Sequence, residues 1–139
     1  MIKSIYIKNY VLIKEISINF DKGFNVITGE TGSGKSLILD SISLLLGNRA
    51  DRFTFKNNDE KCIIEGIFQL PKRLKKYFLQ KELDFYEETI IRREFNNEGR
   101  SRVFINDTPI LLSELTLIAN KIVEIHYQNH NYLIKFLHR

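Results

Sequence analysis

Eight consecutive residues, Gly29-Glu30-Thr31-Gly32-Ser33-Gly34-Lys35-Ser36, satisfy the phosphate-binding loop pattern G-x-x-x-x-G-K-[ST] and constrain the fold more than any other stretch. The pattern has meaning only between a strand that enters the loop and a helix that leaves it. Both flanks comply. Phe24-Asn25-Val26-Ile27-Thr28 is a short β-prone run after the turn residues Asp21-Lys22-Gly23, and residues 37–46 are apolar and long enough for a helix. The order predicts an α/β fold of the P-loop NTPase kind and a nucleoside triphosphate as ligand.

Each position has a physical task. Gly29, Gly32 and Gly34 permit backbone angles and a close approach that side chains forbid, so the amides of the loop, those of Glu30, Thr31 and Ser33 included, can converge on phosphate oxygens. Lys35 adds a compact positive charge for the β- and γ-phosphates. Ser36 offers a hydroxyl to a Mg²⁺ bridging them. The helix that begins near Lys35 adds its N-terminal dipole. The plain alternative is a glycine-rich turn that does no more than cap a helix.

At 139 residues with 43% hydrophobic content, the chain suits one domain, or part of one, with a core of its own. Cys62 is the only cysteine, so no internal disulfide can form; it reads as a small buried apolar residue and fits a reducing, cytoplasmic setting. The N-terminus alternates instead of forming a signal-peptide core, and no apolar run reaches membrane-spanning length, so a soluble protein without a membrane partner is expected. Net charge is +4, from 21 Lys and Arg against 17 Asp and Glu. That is a mild hint of polyanion binding. A coding bias that enriches Ile, Lys and Asn explains it equally well.

Along the chain, Ile5 and Ile7 alternate with polar neighbours, as do Ile16 and Ile18, which predicts two strands joined through residues 9–14. Leu37, Ile38, Leu39, Ile42, Leu44, Leu45 and Leu46 cover most of a helix surface, so burial on nearly all sides is expected, with Gly47 as the stop. Residues 48–60 read as a loop and residues 62–70 as a strand. Pro71 opens a short amphipathic helix through Leu79, with Lys72, Arg73, Lys75 and Lys76 as a solvated face or a DNA contact. Residues 89–95 and 100–106 flank the hairpin residues Asn96-Asn97-Glu98-Gly99. Ser113 is placed as the N-cap of a helix carrying Leu115, Ile118, Ile122 and Ile125 and ending near His126.

Several motifs, in this order, are similar to the N-terminal part of the RecN family of bacterial DNA repair proteins, SMC-like ABC-type ATPases. They are Ile7-Lys8-Asn9-Tyr10-Val11-Leu12-Ile13, the loop with its flanks from Asn25 to Ser36, and Leu44-Leu45-Leu46-Gly47-Asn48-Arg49-Ala50. Arg92-Arg93-Glu94, Gly99-Arg100-Ser101-Arg102-Val103-Phe104-Ile105-Asn106 and Val123-Glu124-Ile125-His126-Tyr127-Gln128-Asn129-His130 follow. The resemblance covers the whole chain but about the first quarter of such a protein. It implies that residues 1–139 form the N-terminal lobe of an ABC-type head with antiparallel strands beside the loop strand. It implies ATP and Mg²⁺ as ligands and a role in double-strand-break repair and recombination. It also implies that Gln128 is the Q-loop glutamine approaching Mg²⁺ and the γ-phosphate. Tyr127 and Asn129 depart from the glycine and histidine usual beside that glutamine.

Such a reaction also needs a strand ending in Asp-Glu and a Leu-Ser-Gly-Gly signature, and neither occurs in the sequence. A lobe that binds nucleotide, without hydrolysis on its own, is therefore expected. Its partners would be a C-terminal lobe or a second head, with DNA met through the complete head, and marginal stability or self-association is expected of the lobe alone. Three other readings compete. A GTPase would want Asn-Lys-x-Asp, and Asn120-Lys121-Ile122-Val123 lacks the carboxylate; a nucleotide kinase would want an arginine-rich lid. A DNA- or partner-binding module with a vestigial nucleotide site would use Arg92, Arg93, Arg100 and Arg102 with Phe95 and Phe104. His126 and His130 lack the glutamate of a zinc protease motif, and Tyr10 is a weak candidate for the adenine.

Overall fold

Six strands pair into one sheet in the computed structural model, which describes residues 2–20, 34–50 and 60–129. They are β1 (Ile2–Tyr10), β2 (Ile13–Asn19), β3 (Cys62–Gln69), β4 (Glu88–Phe95), β5 (Ser101–Ile105) and β6 (Thr108–Ile110). Their order across the sheet is β2-β1-β3-β4-β5-β6, with every neighbouring pair antiparallel. The helices are α1 (Gly34–Leu45), α2 (Lys75–Gln80), which follows a 3-10 turn at Lys72–Leu74, and α3 (Leu112–Asn129). The expected loop strand at residues 24–28 and most of the loop at 48–60 lie outside the described residues.

Side-chain alternation decides which face is covered. In register across the sheet, Ile5, Gly66, Ile91 and Ile105 form one row, and Ile7, Ile64, Arg93 and Val103 form the next. All the side chains in these rows are buried, and α1 and α3 lie over this face. Ile42, Leu44, Leu45 and Leu46 at the end of α1, and Leu115, Ile118, Ala119 and Ile122 of α3, complete the core. Each buried Ile, Leu or Val among them contributes about 1.5–3 kcal/mol of burial energy. The expected burial of α1 holds for its second half; Leu37, Ile38 and Leu39 are half-buried and Asp40 is exposed.

The turns follow local chemistry. Where β1 gives way to β2, Asn9 near the end of β1 takes φ 56° and Val11 in the turn takes φ 49°, and Asn9 Nδ2 donates to the Glu60 carbonyl. Between β4 and β5, Asn96 Oδ1 accepts from the amides of Glu98 and Arg100, while Gly99 takes φ 83°. This is the hairpin the Asn-Asn-Glu-Gly string predicts.

Two expectations need correction. Ser113 is not the N-cap of α3: the helix starts at Leu112, and Glu114 Oε1 reaches back to the Leu111 amide, the return half of a capping box. The helix also runs on to Asn129 instead of stopping near His126. β6 was not foreseen, because Pro109 argues against a strand; it is tolerated at the end of the sheet order, where one side of the strand has no neighbour among the described residues. Among the described residues, no helix is long and apolar enough to cross a membrane.

Candidate functional site

The helix that leaves the phosphate loop is fixed at its far end by three devices. Gly47, at φ 101°, donates to the Leu44 carbonyl, and the Asn48 amide donates to the Ser43 carbonyl, the paired bonds of a Schellman motif. The guanidinium of Arg93, only 1% exposed, donates from Nη1 to the carbonyls of Leu44 (3.1 Å) and Asn48. Its carbon lies 4.8 Å from the centre of the Phe95 ring. A cation at a helix C-terminus opposes the partial negative charge there. Burial lowers the Arg93 pKa to about 10, so it remains charged at neutral pH. Finally, a Cβ on Gly66 would sit 2.7 Å from Leu45 Cδ1, so the absence of a side chain in β3 lets α1 lie close to the sheet.

With that end fixed, the opposite end presents Gly34, Lys35 and Ser36 as the first turn of α1. That turn holds no acidic residue, so no carboxylate within it competes with an anion for the helix's positive pole. This fits a nucleotide phosphate with its Mg²⁺. Gly29, Glu30, Thr31, Gly32 and Ser33 lie outside the described residues. Gln128 falls on the last turn of α3, and His130 lies beyond the described residues. Tyr10, the weak adenine candidate, is 5% exposed and belongs to the core.

The arginines grouped by sequence separate in space. Arg93 points into the core. Arg92, on the opposite face of β4, pairs with Glu65 (2.9 Å) and Glu94 (2.7 Å), and Glu94 also receives Lys61 at 3.2 Å. Burial opposes the charge on Arg92, but hydrogen bonds with Glu65 and Glu94 outweigh it and raise its pKa. For Glu94, burial opposes ionisation, yet the bonds from Arg92 and Lys61 win and hold its carboxyl below the ordinary range. Arg100 and Arg102 are exposed, with Arg100 3.6 Å from Glu98. A four-arginine nucleic-acid surface on the hairpin is therefore not what the fold builds.

Cys62 is buried, and burial pushes its thiol up to about 12, which removes it as a nucleophile. Among the described residues, no cluster of three or more His, Cys, Asp and Glu side chains could hold a metal. The anchoring role of Arg93 escaped sequence reasoning, although the alternation Thr89, Ile91, Arg93, Phe95 carried the signal.

A sheet of antiparallel strands carrying a phosphate-loop helix is the class that the comparisons with known proteins identify. The AAA domain family model matches residues 4–135, and the chain belongs to that family. Within it, the chain matches the N-terminal part of the DNA repair protein RecN: it is 36% identical over 131 residues to that protein from Rickettsia prowazekii (strain Madrid E), covering 94% of this chain and 24% of the relative. The chain thus spans about a quarter of the length of the curated relatives it matches. Among solved structures, the Smc head domain with an extended coiled coil derived from Pyrococcus furiosus is 26% identical with a TM-score of 0.66, covering 86% of this chain and 32% of that one. A chain solved in a study of ATP-driven dimerization and DNA-stimulated activation of SMC ATPases gives a TM-score of 0.66 at 24% identity, covering 98% of both chains, and supports the fold.

Proposed function

We propose that this chain is the nucleotide-binding N-terminal lobe of a RecN-like head, holding ATP and Mg²⁺ in the service of DNA double-strand-break repair and recombination. The observation that carries the proposal is the octapeptide of residues 29–36 running directly into a helix with an acid-free first turn and a triply anchored far end. Lys35 and the loop amides would hold the phosphates, Ser36 would ligate Mg²⁺, and Gln128 would sit toward the γ-phosphate. A Mg²⁺ held there would supply neutralisation of the phosphate charge. The chain's own part is to hold and orient: a helix fixed at its C-terminal end cannot slide when an anion settles at its N-terminal end.

The kinship with the DNA repair protein RecN supports work on DNA by the complete head, and the absence of Asn-Lys-x-Asp from the sequence supports ATP over GTP. Water activation needs carboxylates that this sequence does not supply in the required strand context, so the reading is binding without turnover by this chain alone. A competition assay tests it. A fluorescent ATP analogue bound in the presence of Mg²⁺ should be displaced by ATP and not by GTP at equal concentration; equal displacement by both would remove the ATP-head reading in favour of another phosphate-loop family.

A further inference from the structure

Among the described residues, α1 is held firmly over its second half only. Ser41, Ile42, Leu44 and Leu45 are buried, whereas Leu37, Ile38 and Leu39 are half-buried and Asp40 is exposed. The first turn, with Lys35 and Ser36, therefore takes its place from a support at the other end of a 12-residue helix, about 18 Å away. A cantilever magnifies error. A tilt of about 5° at the support moves that turn by about 1.5 Å, and a misplacement of about 1 Å already matters to groups that must converge on one ligand.

Three elements meet at the support. From β4 comes Arg93, whose Nη1 donates to the carbonyls of Leu44 (3.1 Å) and Asn48 while its guanidinium carbon lies 4.8 Å from the centre of the Phe95 ring. From α3 comes Thr116. A Cβ on Gly47 would lie 2.7 Å from Thr116 Oγ1 and 3.1 Å from Thr116 Cα, so the turn that ends α1 rests against the backbone of α3. Thr116 Oγ1 donates to the Leu112 carbonyl at 3.1 Å, which holds the hydroxyl in that place. Because Gln128 falls on the last turn of α3, the two helices that bear the residues assigned to the nucleotide touch near their opposite ends.

We propose that Arg93 and Gly47 are positioning residues for the nucleotide: they fix the far end of α1 against β4 and α3 and thereby set the affinity of the phosphate site at its other end. This rests on the nucleotide reading above and adds which residues tune it. The effect is geometric. Across about 18 Å the charge of Arg93 attracts phosphate only weakly, and a lysine would supply the same charge. What lysine lacks is the planar guanidinium that serves two carbonyls while stacked on a ring. Coupling of this kind is reciprocal, so bound nucleotide should in turn steady the Gly47 end.

Isothermal titration with Mg²⁺-ATP and with Mg²⁺-tripolyphosphate, which has no base, tests the assignment at a temperature where circular dichroism shows each variant folded. Arg93→Lys should weaken both ligands by the same factor, about tenfold, because the fault lies in the phosphate cradle. Gly47→Ala should do likewise, and adding Thr116→Ala, which removes the Oγ1 that the new methyl meets, should restore part of the loss. Phe78→Leu, on α2 against Phe85, lowers stability away from the contacts of Arg93 and Gly47 and should leave both affinities at the wild-type level. Should Arg93→Lys fail to fold, Phe95→Leu withdraws the stacked ring and keeps Arg93. Hydrogen exchange on the wild type needs no variant: Mg²⁺-ATP should slow the Gly47 and Asn48 amides by about threefold or more. Lys35→Ala separates the two levels, since wild-type affinity in that variant removes the site itself. Lost binding there, combined with wild-type affinity in Arg93→Lys or unchanged exchange at Gly47 and Asn48, overturns the positioning role alone. A loss in Phe78→Leu equal to that in Arg93→Lys would overturn it too, by reducing the effect to stability.

Discussion

Arg93 of β4 donates a hydrogen bond to the carbonyl of Leu44, 49 residues away in the last turn of α1, at 3.1 Å. The same guanidinium serves Asn48, just past the helix end, while its Nε finds no partner among the described residues. The contact ties the central sheet to the far end of the helix whose first turn carries Lys35 and Ser36. Arg93→Met should cost about 2–3 kcal/mol in urea unfolding, since it strips two buried carbonyls of a charged donor. A loss within experimental error would mean the helix end is held by its backbone bonds alone.

The close approach of α1 to β3 should be equally sensitive. In Gly66→Ala the new methyl meets Leu45 Cδ1 at 2.7 Å and Phe68 Cε1 at 2.9 Å, both belonging to fully buried side chains. Overpacking of this kind costs about 1–3 kcal/mol. Thermal unfolding of the variant measures it.

Acid should weaken the outer face of the sheet. The carboxyl of Glu94 is held below the ordinary glutamate range in the folded chain, with burial overcome by Arg92 and Lys61. A depressed folded-state pKa contributes stability that is present above the unfolded-state value and lost as pH falls through the folded one. The window is therefore below the usual glutamate range. Glu94→Gln should remove on the order of 1 kcal/mol at neutral pH and make the acid side of the stability profile shallower. Chemical denaturation repeated from neutral to acidic pH reads both effects.

Cys62 gives a chemical test of the core. With the side chain fully buried and its pKa raised to about 12 by burial, it should not react with a thiol reagent at mildly alkaline pH in the folded state. One thiol per chain should appear on unfolding. Rapid reaction of the native protein would show that the β3–β4 region opens readily.

Strand pairing was legible because half-covered strands alternate strictly, and the Asn-rich hairpin announced itself through residues that accept positive φ or bond their own turn amides. The start of α3 was misread at Ser113 because a serine before an apolar run has the look of a cap. The actual bond comes from Glu114 to the Leu111 amide, and no propensity scale ranks leucine as an N-cap. β6 was hidden by Pro109. Arg93 was read with its charged neighbours as surface, although period-two counting puts it on the face of Ile91 and Phe95; a charge in a core row is overlooked because composition argues against it. The convergence of Lys81 and Lys121 on Tyr77 was out of reach, since it depends on how α2 and α3 dock.

The site at the start of α1 stands or falls on Lys35. Isothermal titration of the wild-type chain with ATP and Mg²⁺ should give saturable binding, and the Lys35→Ala variant, folded to the same extent by circular dichroism, should give none detectable. Wild-type affinity in Lys35→Ala would contradict the assignment of residues 29–36 as the nucleotide's cradle.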